Sequence, residues 1–515
     1  MESAFGGWWN GQRGELGPAH DEERLGGRQE VGEGLISGEK SVVIGQMKRR
    51  YGFLLAGLVS LLGSAGGKPP LLTPPEVPLM GEMDPYFLKT LYAEKNKDTG
   101  LKEIVGEKRF QELVKKWNVK LFGGPILGCV TDESAKVWVR TPGPASVQVV
   151  GEGFRSEVIK TTAEKDFTGI MDLGGLKPLK SYPYDVLVNG ESVYGDKKPE
   201  FRTFPKREQK SRFHVGFGGC ARYNSPKEGI WNVVASYDPL AFLFLGDNVY
   251  MDVPEHRTQQ RVHYYRRQLR PEFQNLTRST SIYSIYDDHD LGKNDTSGGV
   301  KPFKPDWKYA SWKVFKENWN NPAYGQEPER PGCWYDFSIG DVDFFMLDGR
   351  YYRDFKKGTM MGPDQKAWLL DKLGKSKATF KVIACGTLWT KDADKGGKDS
   401  WWGVKEEREE IFSLIDEKKL GGVILLSSDR HRTDVYKIER PKGYDIYEFE
   451  TGKITNIHTH NTNKKALFSY NKGNFFGLLD FDLTKKDSEV TFKCVTLENK
   501  TVYDLTLKRS QLESR

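Results

Sequence analysis

Ala241-Phe242-Leu243-Phe244-Leu245-Gly246-Asp247-Asn248-Val249-Tyr250 decides how this chain is read: five apolar residues end on a glycine, and a carboxylate, an amide and a phenol come within the next five positions. An unbroken apolar run of that length, bounded by a glycine, fits a strand buried on both faces, and so a sheet covered by helices. Such a strand delivers the residues after it to the carboxyl edge of the sheet, where open α/β sheets bind their ligands. Three other segments repeat the arrangement. Phe213–Phe217 runs into Gly218-Gly219-Cys220, Ile282–Tyr286 into Asp287-Asp288-His289-Asp290, and Val423–Ser427 into Ser428-Asp429-Arg430-His431. With the further runs Val342–Leu347 and Lys381–Cys385, most of them separated by helical stretches, the pattern predicts a layered α/β body.

Chemistry explains the mixture at those four strand ends. Aspartates are hard oxygen ligands, whereas a thiolate, a phenolate and an imidazole add softer coordination. So many carboxylates packed together repel one another unless cations share the space. A pair of multivalent cations removes the repulsion and makes hydroxide available near neutral pH.

LGDNVY at 245–250, YDDHDLGKND at 286–295 and SSDRH at 427–431, in that order, resemble the alkaline phosphatase D (PhoD-like) family of calcineurin-like metallophosphoesterases. LDGRYYR at 347–353, MGPDQ at 361–365 with Trp368-Leu369, GGP at 123–125 and VWVR at 137–140 fit the same family, and the resemblance spans about residues 121–500. It implies a layered αββα metallophosphoesterase domain behind a small β-sandwich. It further implies that Asp247 bridges two metals, with Cys220, Tyr250 and His431 on an iron-like ion. Asp288 and Asp429 then hold the second metal, calcium or another divalent cation. The resemblance makes His289 the proton donor beside the leaving group, and Asn248 and Arg222 phosphate contacts. On chemical grounds, arginines such as Arg222 or Arg350 would neutralise the phosphate oxygens left free by the metals. The catalytic set expected is therefore His289, Asp247 and Arg222. Two departures stand out: Ser428 replaces the usual glycine before Asp-x-His, and Gly219 replaces the usual serine before the cysteine. The added Cβ at Ser428 is expected to alter the geometry at Asp429.

Asp287 and Asp290 read as capping or supporting groups, and His214, His256, His263, His458 and His460 as structural or surface histidines. Asp348 and Arg350 also fit an internal ion pair. Trp401-Trp402 reads as cover for the core.

Outside this region the chain divides by composition. Residues 1–46 are Gly-rich and unpatterned and read as untranslated or disordered, with translation starting near Met47. MKRRYGFLLAGLVSLLGSAGG at 47–67 has a basic start, a short apolar run and small residues, the anatomy of a signal peptide, with Arg49-Arg50 close to a twin-arginine pattern. Export to the periplasm or the exterior is expected, with no transmembrane segment in the mature protein. Residues 68–120 read as a linker and helical extension, with Phe87, Leu91, Phe110 and Leu113 at helical spacing. Residues 121–205 alternate with period two around Asn189-Gly190, a hairpin signal, and read as a β-sandwich; 206–510 form the catalytic domain.

Bulk properties limit the partners. A net charge of +7 from 78 basic and 71 acidic residues interspersed along the chain makes no basic face, so no specific nucleic-acid reader is expected. The odd count of 5 cysteines, without a CxxC pair, excludes a fully paired disulfide framework within one chain. The reading is a secreted alkaline phosphatase or phosphodiesterase acting on phosphate mono- or diesters. The alternative is a non-catalytic extracellular binding protein on a decayed phosphoesterase scaffold.

Overall fold

The computed structural model describes residues 78–92 and 98–513, so the expected signal segment and the residues ahead of it lie outside the described residues. Two facing sheets form the body. The first runs in the order Ser281–Ile285, Ala241–Leu245, Arg212–Gly218, Phe475–Asp482, Glu489–Thr496, Thr501–Lys508. Its first three strands are parallel, in the registers Val215↔Ala241 and Leu245↔Ile285, and the last three pair antiparallel. The second runs Tyr335–Ile339, Val342–Met346, Phe380–Ala384, Val423–Ser427, Ile446–Thr451, Thr433–Ile438, Phe468–Tyr470, with Val342–Met346 through Ile446–Thr451 parallel.

The apolar strands Ala241–Leu245, Val423–Ser427 and Phe380–Ala384 are buried along their whole length, because both faces are covered. On the inner faces aromatic rings of the two sheets meet: Phe449 against Phe492 at 4.5 Å between centroids, and Phe380 against Phe481 at 5.7 Å. On the outer face of the first sheet Trp231, from the helix Ile230–Ala235, packs on Phe242 and Phe244 at 6.1 and 5.6 Å. Each such side chain contributes roughly 1.5–3 kcal/mol by leaving water. The layered arrangement holds all the parallel strands with their carboxyl ends toward one edge.

Ahead of the body lie two smaller sheets, one of Gly123–Gly128, Ala135–Arg140 and Thr168–Leu173, the other centred on Ala145–Gly151 and Ser181–Val188. Asn189 and Gly190, with φ of 51° and 84°, make the tight turn after Ser181–Val188. The helices Pro78–Phe87 and Lys108–Lys116 bury Met83, Phe87, Phe110 and Leu113 against Phe122, Val262, Tyr265 and Leu269. No helix among the described residues is long and apolar enough to cross a membrane.

Candidate active site

At the carboxyl edge the backbone turns sharply. Cys220 (φ 54°), Asp247 (φ 53°), Asp429 (φ 84°) and His431 (φ 50°) all take the left-handed conformation. For residues with a Cβ this costs about 1–3 kcal/mol apiece, a strain that persists where surrounding packing enforces it. Gly246 (φ 100°) permits the turn, since a Cβ there would sit 2.5 Å from Cβ of Asp287.

These turns bring distant segments together. Cys220 Sγ lies 3.6 Å from Asp247 Oδ2, and the Tyr250 hydroxyl donates to the same oxygen at 2.8 Å. Asn456 Nδ2 donates to the Tyr250 hydroxyl at 2.8 Å, and the backbone N–H of His289 reaches Asp247 Oδ1 at 3.4 Å. Ligand atoms of Asp247, Asp288 and His289 all lie within 4.8 Å of one another; so do those of Asp287, Asp288 and Asp429, and of Asp288, Asp295 and Asp399. Asp288 belongs to all three groups and is the hinge of the carboxylate cluster. Asp247, Asp429 and His431 line one cleft of about 580 Å³ with Arg222, His289 and Lys395.

Electrostatics separate two halves of this site. Around Cys220, burial and then the Asp247 and Asp429 carboxylates push the thiol well above its usual range. Burial and then Asp288 push Asp247 up, and burial and then Asp247 push the Tyr250 phenol up. Among the described residues no lysine or arginine forms an ion pair with Asp247. Burial, with His458 and His460 nearby, pushes His431 down to about 3, and its Nδ1 is buried without a partner. Such a set of hard and soft donors fits a multivalent cation, which would favour the deprotonated thiol, carboxyl and phenol and take the imidazole in its neutral form. The other half compensates itself. Arg350 clasps Asp287 through Nε and Nη2 (the latter at 2.8 Å) and donates from Nη1 to Asp399 at 2.7 Å; Arg353 also pairs with Asp399. Lys395 Nζ stands 2.6 Å from both Asp399 and Asp429. Burial alone would raise the Asp399 carboxyl, but these three cations outweigh it and hold it well below the usual range.

His289 stacks on Tyr250 at 4.2 Å between centroids, and its Nδ1 is engaged by Asp252. Burial would push the imidazolium down; the hydrogen bond to Asp252, with Asp247 and Asp288 nearby, prevails and raises it to about 10. Arg222 is exposed at the rim with its guanidinium 5.8 Å from the Tyr250 ring.

Two expected substrate contacts are placed elsewhere. Arg350 is fully buried and committed to Asp287 and Asp399, so it is a strut beneath the carboxylates and lines no part of the cleft. Nor does it pair with Asp348, which instead accepts N–H groups of Cys333, Arg350 and Tyr351. Asn248 points inward: its Nδ2 donates to the Ile285 carbonyl at 2.9 Å. His458, which is exposed, and the half-buried His460 both line the cleft, with ring centroids 5.0 and 5.6 Å from His431. Asp290 caps the turn after Asp247, accepting the N–H groups of Asn248, Val249 and Asp287. All five cysteines are free.

The two departures, Ser428 and Gly219, lie against each other in the fold. A Cβ on Gly219 would lie 2.3 Å from Ser428 Oγ, 2.7 Å from the Gly246 carbonyl oxygen and 3.0 Å from Ser428 Cβ, so Ser428 and the backbone of the neighbouring turn together exclude a side chain there. Ser428 keeps an ordinary φ, and the left-handed turn falls on Asp429.

Facing mixed sheets with carboxylate, thiol, phenol and imidazole groups gathered at their carboxyl edge define the metallophosphoesterase class. Comparison with known proteins agrees. The PhoD-like phosphatase family matches residues 215–506, more than half of the chain, and the chain belongs to that family. Residues 118–206 match a Domain of unknown function (DUF7800). Alkaline phosphatase D of Bacillus subtilis (strain 168) is 29% identical over 118 residues, which span 18% of this chain and only 20% of that protein. The solved structure of PhoD superposes with a TM-score of 0.64 at 16% identity, covering 76% of this chain and 91% of that one. Purple acid phosphatase PPD1 from yellow lupin (Lupinus luteus) seeds gives 0.53 at 14% identity, with 75% of each chain covered. At these identities the two superpositions establish a shared fold.

Proposed function

We propose that this chain is an exported, metal-dependent hydrolase of phosphate mono- or diesters. The observation that carries the reading is the meeting of Cys220, Asp247, Tyr250 and Asp288, drawn from three strand ends, with no lysine or arginine among the described residues paired to Asp247. Cys220, Asp247, Tyr250 and His431 would hold an iron ion. Asp247, Asp288 and Asp429 would hold calcium or another divalent cation. Cations bound there supply charge for the phosphoryl oxygens and lower the pKa of water.

The chain's own groups do the rest. Asp252 fixes Nδ1 of His289, which leaves Nε2 to hand a proton to the departing alkoxide. Stacking on Tyr250 keeps that imidazole in place. Arg222 and Arg430 flank the cleft; Nε of Arg430 is buried without a partner among the described residues, which suits an anionic substrate. Asn456 orients the Tyr250 hydroxyl, and Asp290 orients the Asp247–Val249 turn. Export rests on the basic, apolar and small-residue order of residues 47–67.

The test is hydrolysis of a chromogenic phosphate ester by protein loaded with iron and calcium. Activity that disappears in Asp247→Asn supports the reading, and full activity in that variant removes Asp247 from the mechanism. A decayed scaffold would purify without metal and show no turnover of either a monoester or a diester.

A further inference from the structure

The outer carboxylates hold one feature that metal binding alone does not explain. Asp288, Asp295 and Asp399 present ligand atoms within 4.8 Å of one another, and Asp429 borders them. A group of that kind is suited to a calcium-sized cation. Its counter-charge, however, is a side chain. Lys395 Nζ sits 2.6 Å from Asp399 Oδ2, 2.6 Å from Asp429 Oδ2 and 3.7 Å from Asp295 Oδ1, with only 12% of its side chain exposed. A compact ammonium with three donors serves there as a point charge. The two arginines below also pair with Asp399, and Arg350 Nη2 stands 3.8 Å from Asp288 Oδ1, but neither is ion-paired with Asp429 or Asp295 among the described residues.

We propose that Lys395 is a tethered cation that takes the place of one further divalent metal at Asp288, Asp295, Asp399 and Asp429, and so limits how many metals the chain binds. The inference rests on the metal-dependent reading above. The loop that carries the lysine continues as Gly396-Gly397, with φ of 54° and 80°, and a Cβ on Gly396 would meet nothing within 4 Å. The turn that sets Lys395 over the carboxylates is thus supplied locally by glycines. Lys395 is a positioning residue here: it neutralises Asp429 and Asp399 and fixes where Asp429 points.

The experiment is a calcium titration of the full, chelator-treated and iron-reloaded chain by calorimetry, with elemental analysis of the desalted product. It compares the native chain with Lys395→Met, which keeps the aliphatic stem, and Lys395→Arg, which keeps the charge. Lys395→Met is expected to take up one more calcium per chain than the native protein, while Lys395→Arg keeps the native number. Equal calcium uptake by Lys395→Met and the native chain, with native-like circular dichroism in both, overturns the proposal and leaves the metal-dependent reading standing. Absence of metal from every chain tested overturns both. If Lys395→Met does not fold, Lys395→Gln is titrated in its place with the same two outcomes.

Discussion

The two halves of the site solve the same electrostatic problem in opposite ways. Around Cys220, Asp247 and Tyr250 the acidic groups face one another, and burial and mutual repulsion push all three above their usual ranges. Around Asp287 and Asp399, in the outer half, Arg350, Arg353 and Lys395 pair with the carboxylates and hold Asp399 well below its usual range, while burial still pushes Asp287 up to about 7 against its Arg350 partner. A buried ion pair with its hydrogen bonds satisfied makes a rigid platform, while an uncompensated acidic pocket is a receptor for a cation. On the proposed reading the inner half takes the iron, while the cluster of Arg350, Arg353, Asp287 and Asp399 is braced by protein cations.

That contrast can be broken by substitution. Asp247→Asn should have the largest effect, a fall in kcat of about 1,000-fold or more, because it replaces the carboxylate whose Oδ2 both the thiol and the phenol contact by a neutral amide; steady-state hydrolysis of a chromogenic ester measures it. Gly219→Ser should be nearly as damaging, since its Cβ would lie 2.3 Å from Ser428 Oγ. Gly219→Ser combined with Ser428→Gly should recover only part of the metal content and activity, because the Gly246 carbonyl oxygen still lies 2.7 Å from the added Cβ. His289→Asn should lower kcat about 100-fold or more and leave metal content unchanged, which elemental analysis of the same sample verifies.

In the outer half the readout moves from activity to stability. Arg350→Met strands Asp287 in the interior, takes one of its three cations from Asp399, and should cost about 3–5 kcal/mol in denaturant unfolding of the chelated protein. Cys220→Ser, in the inner half, should lose metal while changing that stability by less than about 1 kcal/mol. A smaller effect comes from far outside the site. Burial alone would raise the Asp480 carboxyl, but hydrogen bonds from His214 and Arg212 outweigh it and hold it well below the usual range. Its folded value is depressed, so its contribution is complete above the unfolded carboxyl pKa of about 3.9 and is lost as pH falls through the folded value. Asp480→Asn should cost about 1 kcal/mol at pH 7 and nothing at the acid end, with Arg212 exposed enough to discount the pair.

How much of this is legible in the sequence depends on how each segment is buried. Ala241–Leu245 and Val423–Ser427 are apolar throughout because both faces are covered, and their ends lead directly to Asp247 and Asp429. Ile446–Thr451 is hidden: Glu448 and Glu450 interrupt its apolar run. Glu448 is tolerated inside only because it accepts from Ser427 Oγ at 2.5 Å and from the N–H groups of Trp389 and Thr390, both at 2.9 Å. With that strand unseen, the segment after it, carrying Asn456, His458 and His460, has no visible route to the cleft. Arg350 escapes for a different reason: its partners, Asp287 and Asp399, lie 63 and 49 residues away, and neither distance leaves a local signal. Lys395 and Asp399 belong to a loop with no periodicity, where only the fold brings them to Asp429.

The central claim is that the inner half binds a cation through Cys220, Asp247, Tyr250 and His431. Elemental analysis of the desalted native protein beside Asp247→Asn tests it most directly. The account predicts close to one tightly held iron per native chain and its loss from the variant; a native protein free of iron, or a variant that retains it undiminished, contradicts the account.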